Sequence, residues 1–491
     1  MNAHVTEPGR AALSPADIRG IFVGIMLAML LSALDQTIVA TAMPTIGREL
    51  GEPEHLSWVV TAYLLASTAV TPLYGKFSDM HGRRVTLLIG IAVFILGSIA
   101  CALSTSMLAL IISRAVQGLG GGGLFAVSQT IVADMVTPRE RGRYQVYFGA
   151  VFATSSLAGP VLGGFFAESL HWSMIFWINL PLGALALWLT NDRLKKLPRH
   201  DRPHRLDVLG AALMSAATVS LMLALSWGGV RYPWASAPIA IVLGFSLLLW
   251  LAFLVRLRTA TEPLIPLTVL ADGVVRTTVA ASALGMGSFI GLSIFVPIYF
   301  EAALGFSAKS SGVALIPLMV GMVTGATVSG RAMARFQHYK RLPIAGLVVS
   351  TASLATLASV ANALPFAVVE ILLFLASLGL GTVMPVSTVS MQNAVGTHHL
   401  GTATATMNFC RQLAGAVVVA VYGALALSGS ESGALTPETL ARGVNAALAD
   451  SFRSIFAAAA VALALCTYLF IRLEERPLSE SPAAPAGGSE P

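Results

Sequence analysis

Two ionisable residues stand where ionisable residues are expensive. Asp35 lies about fifteen residues into an apolar run beginning near Gly20, deep enough to sit in hydrocarbon, and Arg114 lies within a later run. A charge at the centre of a bilayer costs roughly 2.5–3.5 kcal/mol on insertion scales, so such residues commonly mark proton relays, ion paths or substrate contacts. A guanidinium there needs a carboxylate, a ring of carbonyls or water, and Asp35 is the carboxylate that suits Arg114 best. Held together in a water-filled crevice, the two would form a group that takes up a proton and gives it back. Two structural alternatives stand beside this: an Asp35 satisfied by a neighbouring helix, and an Arg114 clamped to backbone carbonyls. Gln117 is three residues after Arg114 and shares its helix face.

Other spacings point to moving parts. Gly75, Asp79, Gly82, Arg83 and Arg84 fall in a tight loop between two apolar runs. The glycines let helix ends approach, and Asp79 can cap the next helix or pair with an arginine across the loop. Such a charge latch would hold one conformation shut; an ordinary basic loop is the plain alternative. Gly159, Pro160, Gly163 and Gly164 lie inside another run, where Pro160 kinks the helix and the glycines give a smooth face. The expected partner for that face is the run carrying Pro317, Gly321, Gly325 and Gly330, making a gate or a leak-proof seam. Candidates to line a substrate cavity are Gln36, Thr37, Gln117, Asn408 and Gln412, with Trp58 and Tyr63 to stack on flat or cationic ligands. Glu301 is a candidate cation contact at the cavity mouth, with a solvated helix end as its alternative.

These residues must be positioned by membrane helices. The chain has 491 residues, is 56% hydrophobic and only 11% charged, where soluble domains carry about 25%. With a window near 20 residues, fourteen spans are expected: 20–43, 57–75, 85–103, 107–134, 144–168, 173–192, 207–228, 237–256, 275–302, 311–333, 342–361, 366–392, 403–428 and 451–472. The first is too long for a signal-peptide core and reads as a retained helix. Lys76, Arg83, Arg84, Arg139, Arg141 and Arg143 share one side with Arg193, Lys195, Lys196, Arg199, Arg202 and Arg205, and with Arg331, Arg335, Lys340 and Arg341. That side is cytoplasmic by the positive-inside rule, as are both termini with an even number of spans. The net charge of +6 is thus distributed by membrane side and argues for no nucleic-acid partner.

The halves echo each other. Gly75-Lys76 is matched by Gly330-Arg331, Leu157-Ala158-Gly159 by Leu413-Ala414-Gly415, and Gly118 by Gly379, at shifts of about 255–261 residues. A parallel repeat of six spans follows, with two spans inserted between. The organisation expected is a tail over 1–19, a six-helix bundle over 20–192, a linker with two inserted helices over 193–274, a second six-helix bundle over 275–472, and a disordered tail over 473–491.

With these residues in view, spans one to six and their loops resemble the major facilitator superfamily, in particular its fourteen-span drug:proton antiporters. Asp35 to Pro44 looks like that subfamily's first-helix signature, and Gly75 to Arg84 is similar to the superfamily's loop motif. Arg114, Gln117 and Gly118 resemble the fourth-helix motif tied to proton coupling, and Gly159-Pro160 with Gly163-Gly164 the fifth-helix antiporter motif. Trp172 to Pro181, and Asn408 to Gln412, also look like stretches of that subfamily. The resemblance covers residues 20–472. It implies an all-α major-facilitator fold of two six-helix bundles plus two helices, and export of lipophilic, often cationic drugs from the bacterial inner membrane against a proton flow. Two departures stand out: Ala40 replaces the Asn usual in the first signature, and the loop Gly330 to Arg335 lacks an acid matching Asp79.

A membrane enzyme would need clustered His or carboxylates, and the nine His lie in tails, loops or span ends. Cys101, Cys410 and Cys466 have no metal spacing and read as packing residues. No metal, organic cofactor or catalytic residue is therefore expected, the proton being the coupling ion. The partners expected are a small-molecule substrate and the lipid bilayer, acting on a monomer, with a periplasmic adaptor left open. An exporter of an endogenous metabolite or siderophore is the alternative function; a receptor or scaffold would leave Asp35 and Arg114 unexplained.

Overall fold

A computed structural model describes residues 15–52, 55–196, 206–336, 338–427 and 446–478. Tail residues 1–14 and 479–491, the basic loop 197–205 with Arg199, Arg202 and Arg205, and the loop 428–445 lie outside the described residues. In chain order the helices are α1 (Pro15–Leu50), α2 (Ser57–His81), α3 (Arg83–Ala102), α4 (Met107–Gly121), α5 (Leu124–Met135), α6 (Pro138–Ser169), α7 (Met174–Trp177) and α8 (Asn179–Asn191). Then follow α9 (Val208–Trp227), α10 (Ala237–Thr259), α11 (Leu267–Ala271), α12 (Gly273–Leu304), α13 (Ala308–Ala314) and α14 (Ile316–Arg335). The last are α15 (Arg341–Val360), α16 (Phe366–Ala394), α17 (Leu400–Leu427) and α18 (Ala446–Arg472).

Thirteen segments among the described residues are long and apolar enough to cross a membrane. The sequence reading counts fourteen, and the difference is α2. It runs for 25 residues, but Thr61, Tyr63, Ser67, Thr68 and Thr71 dilute its apolar character. Those polar groups find partners inside the protein: Thr71 donates to Ser67 O and Gly122 O, and Thr68 to Gln412.

The apolar residues divide as a bilayer solvent demands. Two clusters pack the first bundle, one around Ile25, Phe94 and Leu124 and one around Ile38, Leu110 and Phe176. A larger cluster around Leu292, Leu354, Leu380 and Phe456 packs the second. Meanwhile Leu96, Leu108, Ile112, Leu247 and Leu248 stay exposed on outward faces, where lipid tails would meet them. The inserted pair α9 and α10 leans on the first bundle, with Ser215 Oγ donating to Ala69 O and Trp58 edge-on to Trp227.

One face gathers the loops with Lys76, Arg83, Arg84, Arg139 and Lys340, and is called the basic face below. Residues after α18 return there: Leu473 O and Glu475 accept from Lys340, and Arg476 Nη1 donates to Asp272 Oδ2 at 2.9 Å. The repeat shows as an exchange of contacts near this face. The second span of each bundle packs on the fifth span of the other, α2 on α17 and α14 on α6. A Cβ built on Gly75 would lie 2.6 Å from Gly401 O, and one on Gly330 would lie 2.2 Å from Gly142 O. Only glycine allows backbones to cross this closely.

The glycine face of α6 has a different partner from the one expected. A Cβ on Gly159 would lie 2.0 Å from Thr37 Oγ1, and one on Gly163 2.1 Å from Thr41 Oγ1. Both positions therefore seat α1 of the same bundle rather than the Gly321–Gly330 run of α14, while Pro160 is exposed and Gly164 has open space beside it. Gly321 and Gly325 are in turn occupied by α16, against Phe374 O and Leu378 O. The bundle-to-bundle approach of α6 sits instead at its basic-face end, through Gly142.

Gly330→Ala is expected to lower the thermal unfolding midpoint of purified protein, because the new methyl would press into the Gly142 carbonyl at an overpacking cost of roughly 1–3 kcal/mol. Gly244→Ala in α10, with nothing within 4 Å of its Cβ position, should leave the midpoint unchanged. Equal midpoints for both variants would disprove the close crossing.

Candidate functional site

Asp35 and Arg114 meet in the first bundle. Arg114 Nη1 donates to Asp35 Oδ2 at 2.6 Å and to Gln117 Oε1, and its Nε donates to Val59 O at 3.0 Å. Gln117 Nε2 donates to Asp35 Oδ1 at 2.8 Å and to Ser98 Oγ at 2.9 Å. Asn179 Nδ2 closes the ring, reaching Asp35 Oδ1 at 3.4 Å and Ser98 Oγ at 3.3 Å. Five segments thus converge: α1 supplies the acid, α4 the arginine and glutamine, α3 Ser98, α8 Asn179 and α2 a carbonyl. The guanidinium carbon lies 4.4 Å from the ring centre of Tyr63 and 5.8 Å from that of Phe176, within cation–π range. Tyr63 OH pairs with Ser32 Oγ at 3.1 Å.

The expectation of a wet crevice around Asp35 is not met in this conformation. Asp35 is 0% exposed and Arg114 1%. Three donor side chains saturate the carboxylate, and two aromatic rings flank the guanidinium. A buried pair of this kind needs every polar group occupied, since two unscreened charges in low dielectric are otherwise very costly. Arg114 is both things the sequence left open, an ion-pair partner and a clamp on a backbone carbonyl. Ser98 and Asn179 escaped sequence reasoning as site residues; each is a small polar residue in an apolar run, indistinguishable there from a packing position.

The loop residues tie the two bundles together, through a partner the loop alone does not reveal. Arg83 Nη1 bonds Asp79 Oδ1 at 2.5 Å, and its Nε bonds Asp134 Oδ2 at 2.7 Å. Arg84 instead binds Asn191 at the end of α8, through Oδ1 and the carbonyl. Asp79 caps α17 of the other bundle rather than the helix that follows it. Its carboxylate accepts from Gly401 N at 3.0 Å, Thr402 N at 2.7 Å and Thr402 Oγ1 at 2.7 Å. Unpaired N–H groups and the positive end of the helix dipole favour a carboxylate there. Gly82, at φ 87°, ends α2 and turns Arg83 back toward Asp79. Gly75 sits one turn before Asp79, where α2 and α17 touch. At the corresponding place in the repeat the acid is replaced by Ala334, whose carbonyl accepts from Arg139 Nε at 3.1 Å.

The residues proposed for a substrate cavity are not brought together. Tyr63 is buried under Arg114 and offers no face to a ligand, while Trp58 is half-buried edge-on to Trp227 of the inserted pair. Gln117 belongs to the ion-pair site. Gln36 is exposed on α1, while Thr37 Oγ1 is tied to Leu34 O and Ser155 O. Glu301 accepts from Ser311 Oγ at 3.1 Å at the end of α12 remote from the basic face. Asn408 and Gln412 lie in the seam between bundles: Asn408 Nδ2 donates to Gln129 Oε1 at 2.8 Å, and Thr68 Oγ1 to Gln412 Oε1 at 2.9 Å. The physical reason for the scatter is that helical periodicity assigns a polar residue to a face without saying which helix that face meets.

The Major Facilitator Superfamily model matches residues 25–208 and 197–419. Multidrug resistance protein 3 of Bacillus subtilis is 33% identical, over 83% of this chain and 79% of its own. An MFS-type transporter of Mycobacterium tuberculosis is 32% identical, over 96% of this chain and 72% of its own. Among solved structures, the human organic anion transporter MFSD10 superposes with a TM-score of 0.65 at 20% identity, over 93% of this chain and all of that one. At that identity the likeness shows the fold alone.

Asp79→Ala removes three hydrogen bonds to α17 and is expected to open the seam more often. With the three native cysteines replaced and Ala405→Cys installed against Gly75, an impermeant maleimide should label the Asp79→Ala protein about tenfold faster than its parent, the worth of one charge-assisted bond. Unchanged labelling would show that Asp79 latches nothing.

Proposed function

Since the chain belongs to the Major Facilitator Superfamily, we propose that it is a proton-coupled exporter of lipophilic compounds, working by alternating access between its two bundles. The observation that carries this reading is the Asp35–Arg114 pair, a neutral but ionisable unit buried at mid-span. The multidrug name of a relative that matches most of the chain favours drugs and toxic compounds as cargo. We count α2 as the fourteenth crossing, because it is 25 residues long and packs against both α4 and α17. The basic face is taken as cytoplasmic on its Lys and Arg content, and with fourteen crossings of a bacterial inner membrane both termini would be cytoplasmic.

Coupling runs through the chemistry of the carboxylate. A proton added to Asp35 cancels its attraction for Arg114 Nη1, and the guanidinium then needs other acceptors or water. The pair is shut in the conformation seen, so loading takes place when α1 and α4 shift in another one. Arg114 holds α2 twice, by its bond to Val59 O and by its contact with the Tyr63 ring. The same helix carries Thr68, Gly75 and Asp79 into the seam. A change in the hold on Val59 and Tyr63 is thereby passed along α2, through Pro72, to Asp79. One proton crossing 100 mV supplies roughly 2.3 kcal/mol, and about 1.4 kcal/mol corresponds to a tenfold gradient.

In proteoliposomes, Asp35→Asn is expected to abolish the stimulation of efflux by an imposed pH gradient, with the protein still folded. Transport at the wild-type rate with unchanged pH dependence would defeat the proposal. Arg114→Ala should weaken coupling more than Asn408→Ala does. The reverse order would make Arg114 a purely structural clamp.

A further inference from the structure

Arg411 is a buried cation that the proposed mechanism does not use. It lies about 16 Å along α17 from the basic-face end, near the middle of the hydrocarbon, and is 6% exposed. Its Nη2 donates to Thr388 Oγ1 at 2.9 Å, and its buried Nε has no acceptor. Among the described residues no carboxylate pairs with it. Glu370, the acid within α16, is about 27 Å along that helix from Thr388. Asp35 is already matched by Arg114. The interior thus carries one positive charge without a counter-charge, an arrangement that is costly unless something else meets it.

Arg411 also stands between residues that lose their partners together. Asn408, one turn before it, is bonded to Gln129, and Gln412, next to it, is bonded to Thr68; both bonds cross the seam. When the basic face opens, these two bonds break in one step. The guanidinium, the Asn408 amide and the Gln412 amide then line one wall of the cleft, with donors in excess of acceptors. Ser387 Oγ and Ser390 Oγ on α16, close in sequence to Thr388, are likewise buried without partners.

We propose that Arg411, flanked by Asn408 and Gln412, receives the anionic group of an amphiphilic substrate, a carboxylate or sulfonate, when the cleft opens on the basic face. The site rests on the exporter reading and narrows its cargo. It argues against a cation as the preferred cargo, because the bare guanidinium would repel one. In the conformation described, the seam is closed and the guanidinium meets a single hydroxyl, Thr388 Oγ1, with its Nε unmet, as suits the stage after release. Aromatic anions then enter from the basic face, and the closing seam returns Gln129 and Thr68 to their amide partners as the anion leaves on the other side.

The test uses 2-naphthalenesulfonate, its neutral relative 2-naphthalenesulfonamide, and the cation ethidium. Equilibrium dialysis against the full chain in nanodiscs should show the sulfonate bound about tenfold or more tighter than the sulfonamide, the worth of one charge-assisted bond. Arg411→Ala should erase that preference and Arg411→Lys should keep part of it, with ethidium transport undiminished in both. Should Arg411→Ala fail to fold by thermal unfolding, Arg411→Gln removes the charge while retaining a donor for Thr388, and must erase the preference as well. A sulfonate preference intact in the neutral variants, or absent from wild type, overturns the site. Wild type that moves ethidium but not sulfonate overturns it too, and leaves the exporter standing. Wild type that moves no probe under a pH gradient sinks the exporter reading, while the dialysis preference still decides Arg411.

Discussion

Everything in the first bundle is arranged around keeping one carboxylate and one guanidinium together in oil. Desolvating such a pair costs several kcal/mol per ion even after relaxation, and attraction offsets this only if the remaining lone pairs and N–H groups are also satisfied. Gln117, Asn179, Ser98 and the Val59 carbonyl do so here, drawn from four helices besides the one that carries Asp35. The glycines of α6 serve the same end, because they let α1 sit close enough for Thr37 to bond Ser155 O. Remove either ion and the other is left in low dielectric, with a penalty of about 3–5 kcal/mol. The pair is therefore a structural keystone as well as a titratable group, and a substitution at Arg114 has to be judged by coupling as well as by activity.

The two bundles share a scaffold and differ in chemistry. Glycines at Gly75 and Gly330 make the same close crossing on opposite sides of the molecule. Yet only one crossing is locked by a carboxylate on a helix N-terminus; at the other, Arg139 bonds the carbonyl of Ala334. Among the described residues the second bundle likewise has no buried ion pair matching Asp35–Arg114, and its mid-span Arg411 is bonded to a hydroxyl. A duplicated fold thus leaves one half equipped with a neutral ionisable unit and the other with an unbalanced cation.

Much of this was legible in the residues. Apolar runs long enough to span a bilayer leave little freedom in where helices lie, and thirteen of the fourteen expected spans have a counterpart among the described residues, the second being the exception. The Asp35–Arg114 contact was legible for the same reason, because mid-membrane charges are so few that each has hardly any choice of partner. What the residues could not disclose were partners without a side-chain signature. Asp79 is met by the backbone N–H groups of Gly401 and Thr402, more than three hundred positions away, and every residue has such a group. Trp58 and Tyr63 looked like ligand platforms since exposed and buried aromatics share the same periodicity; their neighbours, Trp227 and Arg114, decided the matter. The burial of Asp35 was hidden too, as it depends on Ser98 and Asn179 closing over it.

The bonds across the seam set how hard the basic face is to open. Opening the basic face breaks two neutral side-chain bonds, Asn408 to Gln129 and Thr68 to Gln412, and the bonds from α17 to Asp79. Water replaces most of each, so the net cost is about 0.5–1.5 kcal/mol for a neutral bond and about 1.5–3 kcal/mol for one to a charge. The five bonds come to roughly 5.5–12 kcal/mol, more than the roughly 2.3 kcal/mol of one charge falling through 100 mV, so opening also needs the new bonds that water-exposed or substrate-bound groups make on the open side. On the proposed proton coupling, a still stronger latch would hold the basic face shut, and a much weaker one would let both faces open and leak. The replacement of an acid by Ala334 in the second half follows from the same reasoning. On the proposed coupling, a second carboxylate at that place would add about 1.5–3 kcal/mol for each further bond to a charge, raising the barrier that one buried acid would have to help overcome.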